Sequence, residues 1–316
     1  MDLSAVILLA AIAGYGDPQG GFPSAAERSL VLWTNAARVA PTEFREDFSK
    51  GDCTLADFSG TEKTAKSPLY IDVDLTEAAR AHSTDMNDNG CFQHESCDGT
   101  DTWTRVGRYY DDANSGLGEN IAYGSTDARY TVMSMWMCSD AGHRANIMSA
   151  DFNEMGGGVD HDYMTQDFAA GELKEGDPSV RVAAEYDGSV WADWGDDAEP
   201  AELALNVGDS SIDLTLAHGS PENGVYNGVL DAEKCSAWWV SWESASGQAG
   251  DFPATGAFLS GSCDEEYDGE ARGGAGNPDD DEEGSEFPRL LCSSTGEGSL
   301  IAAMFGGLAI LSRRRR

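Results

Sequence analysis

Trp136-Met137-Cys138-Ser139-Asp140-Ala141-Gly142-His143-Arg144-Ala145-Asn146-Ile147-Met148 joins the apolar end of a helix to a short run dense in chemistry-bearing side chains. Just upstream, residues 130–138 read as that helix, with Val132, Met133, Met135 and Trp136 turned inward. Before it, Asp74-Leu75-Thr76-Glu77 opens another helix, whose Leu75, Ala78, Ala79, His82 and Met86 keep a helical rhythm. Asn89-Gly90 ends that helix with the residue pair that a left-handed cap favours. The earliest helix opens on a capping box, Ser24-Ala25-Ala26-Glu27 after Pro23, and closes before Pro41. Its apolar residues are Leu30, Leu32, Trp33 and Ala37. Downstream of the quoted stretch, Met155–Asp160 and Tyr163–Ala169 read as two paired strands with a brief turn. Helices thus precede a strand pair, and the first half is α+β.

The texture changes near Gly171. Alternating runs at 179–184, 201–207, 211–216 and 237–242 are separated by Gly, Pro, Asn and Asp, which predicts a small antiparallel β-sandwich-like domain over 171–263. Its Trp238-Trp239-x-x-Trp242 patch reads as strand packing. Residues 264–291 form an acidic linker around Asp279-Asp280-Asp281-Glu282-Glu283, with too little apolar surface to fold. The chain is accordingly divided into 1–13, 14–26, 27–170, 171–263, 264–291 and 292–316.

The first of these divisions is an apolar run ending in Ala11-Ile12-Ala13, a small-x-small cleavage pattern, and is expected to be a signal peptide. It lacks a positively charged start. The last division holds Cys292-Ser293-Ser294, an apolar stretch from Ser299 to Ser312 and Arg313–Arg316. Fourteen residues of helix would span about 21 Å, short of a hydrocarbon core of about 30 Å. The tail resembles the myxobacterial C-terminal sorting signal, which implies processing at Cys292 and anchoring at the cell surface or outer membrane.

Composition narrows the partners. There are 56 Asp and Glu against 20 Lys and Arg, a net charge of −36, which repels nucleic acid and anionic membrane surfaces. No nucleic-acid partner is expected, and the membrane is reached through the C-terminal anchor. Seven cysteines in an exported chain leave one over after pairing. Cys235 and Cys263 are expected to bridge each other; Cys53, Cys91, Cys97 and Cys138 allow three connectivities.

Three ordered strings carry the chemistry: Phe92-Gln93-His94-Glu95-Ser96, Gly118-Glu119-Asn120-Ile121-Ala122 and the quoted stretch through His143. Together with Asn35-Ala36-Ala37-Arg38, Met155-Gly156-x-Gly158 and Thr165-Gln166-x-Phe168, they resemble the CAP/SCP superfamily, named for cysteine-rich secretory proteins, antigen 5 and pathogenesis-related-1. The Gly-His-Arg-x-Asn-Ile form is that of its prokaryotic branch. The resemblance covers residues 27–170 and implies an α-β-α sandwich with a cleft lined by two histidines and two acids. Carried over by motif, these are His94, His143 and Glu119. The second acid falls on Ser139, a departure that weakens any mechanism needing two carboxylates.

Two imidazoles and one carboxylate suit an open zinc site, so zinc held by His94, His143 and Glu119 stands as one alternative. Glu119 orienting a neutral histidine is the other. No cofactor is assigned with certainty and no residue is named as catalytic. Ser139 and His143, four apart, suggest a nucleophile and base, but nothing marks an oxyanion hole. Asp85-x-Asn87-x-Asn89-Gly90 imitates the front of a calcium loop, yet position twelve is Ser96. His82 reads as a core histidine. The resemblance implies a surface-anchored binder of a small apolar ligand (a lipid, for example) or of a cell-envelope component. A metal-dependent hydrolase using Glu119 as base and a surface adhesion or structural protein are the alternatives.

Overall fold

The computed structural model describes residues 15–48, 53–111, 116–171, 177–230 and 234–272. The expected signal peptide, Cys292 and the C-terminal anchor lie outside the described residues. Among the described residues no helix is long and apolar enough to cross a membrane.

Helices α1 (Ala25–Val39), α2 (Arg45–Phe48), α3 (Val73–Asn89), α4 (Thr102–Val106), α5 (Ala128–Tyr130) and α6 (His143–Ile147) surround strands β1 (Tyr70–Ile71), β2 (Leu117–Tyr123), β3 (Glu154–Asp160) and β4 (Tyr163–Ala169). The capping box forms at α1, with Glu27 N–H donating to Ser24 Oγ and Ser24 N–H to Glu27 Oε2. Helix α3 starts earlier than the sequence suggested. Asp72 is its cap, its carboxylate accepting Leu75 N–H at 2.8 Å, and Gly90 ends it at φ 65°. The predicted helix at 130–138 is the short α5 running into a π-helical stretch, Thr131–Trp136.

The four strands form one sheet in the order β1-β3-β4-β2, so β2 is an edge. Three successive glycines explain how both faces are covered. A methyl at Gly156 or Gly158 would overlap the backbone of α3 at Leu75–Thr76 and Ala79–Arg80, while one at Gly157 would meet α1 at Glu27 and Leu30. Alternation thus sends 156 and 158 to one helix and 157 to the other, the close approach only glycine permits. This is the α-β-α sandwich.

The change of texture near Gly171 is not a break in packing, because the hydrophobic core is continuous from Leu30 to Phe258 and one compact unit runs to Gly274. Strands β5 (Ala183–Tyr186), β6 (Ser189–Gly195), β9 (Thr215–Ser220) and β10 (Asn223–Val229) form a sheet in the order β5-β6-β10-β9. It lies on the far side of α1, where Trp33 meets Tyr186 and Trp191. A second sheet, β14-β13-β11-β7-β8 with β12 on β11, closes the sandwich. It comprises β7 (Glu202–Val207), β8 (Ser210–Asp213), β11 (Ser236–Glu243), β12 (Ala249–Phe252), β13 (Ala257–Ser260) and β14 (Tyr267–Asp268). Trp194 of β6 and Trp242 of β11 meet edge to face between the two sheets.

Two expectations change here. The run at 179–182 is buried but not a strand: the Asp193 carboxylate accepts the backbone N–H of Arg181 and Val182 at 2.7 and 3.0 Å, taking them from any ladder. The folded body also continues past 264, where the linker was placed. Tyr267 pairs with Phe258, and Arg272 stacks over Trp239 and bonds Asp251.

The disulfides are Cys53–Cys138, Cys91–Cys97 and Cys235–Cys263. The last is the expected bridge, and the first two select one of the three open connectivities.

Candidate functional site: a cleft across the β2 edge

An exposed sheet edge offers unpaired backbone groups, and β2 hides its own. The Glu119 carbonyl accepts Asn146 Nδ2 at 3.1 Å and the Ile121 carbonyl accepts Trp136 Nε1 at 3.0 Å. Asn120, on the opposite face from Glu119, donates to Gln166 Oε1 at 3.0 Å and to the His143 carbonyl at 3.2 Å. The motif residues therefore fasten α6 and the π-helical stretch along β2, and α6 delivers His143 from one side of the edge.

His94 comes from the other side, on a loop closed by Cys91–Cys97. Cys97 N–H donates to Asp85 Oδ2 at 2.7 Å, tying the loop to the last turns of α3. The His94 carbonyl accepts Thr102 Oγ1 at 2.7 Å and Arg105 Nη1 at 2.9 Å, so α4 fixes its backbone. Its Nδ1 lies 2.8 Å from Glu119 Oε1. The other Glu119 oxygen is held by Arg105 Nη2. Glu119 has a side chain only 2% exposed, and both oxygens are engaged.

His143 Nδ1 lies 2.9 Å from Ser139 Oγ, which also accepts Ala141 N–H at 3.1 Å. Ser139, standing where the resemblance implies an acid, thus still anchors the second imidazole. His94 is raised above the ordinary histidine value, first by its hydrogen bond to Glu119. His143 is lowered, first by burial and then by the charge on His94. The two environments thus shift the imidazoles in opposite directions.

Sequence reasoning missed Arg105, and it missed Asp167. Asp167 lies directly across from Glu119 on β4 and is buried. Burial, then the charge of Glu119, pushes its carboxyl well above the usual range. The signal was faint: an acid between Gln166 and Phe168 in a strand otherwise made for the core. Arg105 carried no signal, because its role depends on a short helix folding back under His94.

The donor set can be tested for zinc. A three-ligand centre needs Glu119 free, whereas its oxygens are bound to Arg105 and His94. Among the described residues, one set of three ligand atoms converges, at Asp85, Cys91 and Cys97, and two of these are joined in a disulfide. The three-ligand zinc site does not fit this arrangement. Glu119 instead lies within hydrogen-bond distance of His94 Nδ1. His82 is fully buried with Nε2 3.0 Å from the Gln93 carbonyl, and Asp85 and Asn89 are spent on the end of α3.

Comparison with known proteins bears on residues 33–170, which match the family model described as CAP, the cysteine-rich secretory protein family. The uncharacterized membrane protein YlbC of Bacillus subtilis (strain 168) is 36% identical over 106 residues, 34% of this chain and 30% of YlbC. The uncharacterized protein YkwD of the same strain is 38% identical over 100 residues, 31% of this chain and 37% of YkwD. The chain thus spans about a third of the length of these curated relatives. A crystal structure of an extracellular protein containing a SCP domain, from Bacillus anthracis str. Ames, is 33% identical with a TM-score of 0.30, covering 32% of this chain and 33% of that one.

Proposed function

We propose, from the match of residues 33–170 to the CAP family model, that the protein is an exported binding module that grips a small apolar ligand or a cell-envelope component beside His94 and His143. One observation carries this reading: Glu119, the acid a hydrolase would need as its base, is buried and bound through both oxygens. What remains open to a ligand is the half-exposed His94 ring, the outer edge of His143 and the neighbouring surface. Three disulfides support an oxidising location.

A hydrolytic reading has the Ser139–His143 hydrogen bond on its side. It is weakened by the orientation of His143, whose Nδ1 faces Ser139 and whose Nε2 is hydrogen-bonded to no acid among the described residues. Binding is tested by NMR on the purified chain, following the His94 and His143 ring protons during extraction of, and re-exposure to, envelope lipids and glycans. Ligand-dependent shifts at both rings are expected. Stoichiometric zinc on metal analysis, lost in a Glu119→Gln variant, would replace this reading with a metal centre.

A further inference from the structure

The loop that carries His94 lies along β2 with two side chains seated on it. His94 sits on Glu119, and Phe92 sits on Tyr123 with ring centroids 6.2 Å apart. Tyr123 is in turn 4.6 Å from Tyr163, its cross-strand partner on β4. Strand alternation puts Glu119 and Tyr123 on one face, so the three rings continue the surface that His94 begins. Phe92 and Tyr123 are 52% and 51% exposed. Rings this open, in contact with one another and joined to a ligand cleft, are an unusual use of apolar surface.

The rim of the row is polar. Asp160 lies across from Tyr163 and is bound by Asn87 and His161, and Asp162 precedes Tyr163 in the chain. A row of rings tilted 46° and 40° to one another, with acceptors at its edge, suits a ligand with an apolar face and a hydroxyl rim. A sugar ring is built that way: its C–H face stacks on an aromatic ring while its hydroxyls donate to carboxylates. Anionic polymers are opposed by the rim and by the net charge of −36. A lipid chain gains little on a surface open to water on one side.

We propose that Phe92, Tyr123 and Tyr163 form a stacking platform for successive rings of an uncharged glycan chain, leading to the imidazole of His94. The proposal rests on the binding reading of the cleft and names its ligand class. The test titrates the full chain with N-acetylglucosamine oligomers from dimer to hexamer, read by ring-proton NMR and by calorimetry. Saturable binding that tightens with oligomer length is expected. Phe92→Ala and Tyr123→Ala should each weaken it about fivefold, the value of one aromatic contact, without lowering the melting temperature. Tyr109→Ala, an exposed ring elsewhere, should leave it unchanged. Binding undiminished by the Phe92 and Tyr123 changes overturns the platform. Vesicles of neutral phospholipid shifting His94 while the oligomers do not would overturn the glycan and leave the binding module standing. Silence with both probes would overturn both.

Discussion

At the scale of single residues, the cleft depends on Glu119 being held, for its carboxylate sets the charge of His94. The Glu119 bond raises His94 above its unfolded value of about 6.5, so its stabilising contribution is complete below that pH. It is lost as pH rises through the higher folded value. His143 runs the other way: lowered by burial, it opposes folding as pH falls below about 6.5. A proton NMR titration should therefore show His94 losing its proton at higher pH than His143, with a window in which only His94 is charged. Glu119→Gln should bring His94 back to or below the ordinary value. Titration of both rings at one pH, or a His94 indifferent to Glu119, would contradict this account. These residues were legible as a set, since each sat in a recognisable string. Their arrangement was not, because the side chain that occupies Glu119 is Arg105, and Arg105 is set only by the folding back of α4.

At the scale of elements, two disulfides brace the cleft unequally. Cys91–Cys97 closes a separation of 6 residues and Cys53–Cys138 one of 85. By loop-closure entropy, removing the first as a Cys91→Ser, Cys97→Ser pair should lower unfolding free energy by about 2 kcal/mol, and removing the second by about 4.5. Chemical denaturation measures both. Loss of the short bridge alone should shift the His94 resonances, since that loop carries the ring; equal disturbance from the long bridge would refute the local role. Helix starts and strand pairs were readable from caps and alternation, as Ser24, Gly90 and the β3–β4 hairpin show. The run at 179–182 was misleading for a physical reason. Its alternation is that of a strand, but a buried carboxylate from another strand, Asp193, takes the amides that a ladder would use.

At the scale of the whole molecule, the second half is the far wall of the first. Asn35 of α1 donates to the Leu69 carbonyl and to Asp193 Oδ2, and burial raises Asp193 from an ordinary 3.8 to about 6. A carboxyl raised in the folded state favours folding as it gains its proton. Wild type should therefore gain stability relative to Asp193→Asn as pH falls from 7 to 4, measured by urea unfolding. A difference that shrinks on acidification would contradict it. A chain ending at residue 171 should fail to give a cooperative thermal transition, because Trp33 and its neighbours lose their cover. A well-folded fragment would show that the first half is self-sufficient. The boundary at 170 was drawn from texture, and composition carries no trace of which faces meet. The covering of α1 also sets an order of events. The helix is made before the strands that shield it, which follow more than a hundred residues later, and Tyr15 pairs with the ring of Phe252. Until those strands exist, the apolar face of α1 has no cover, and sticking to a neighbour competes with folding.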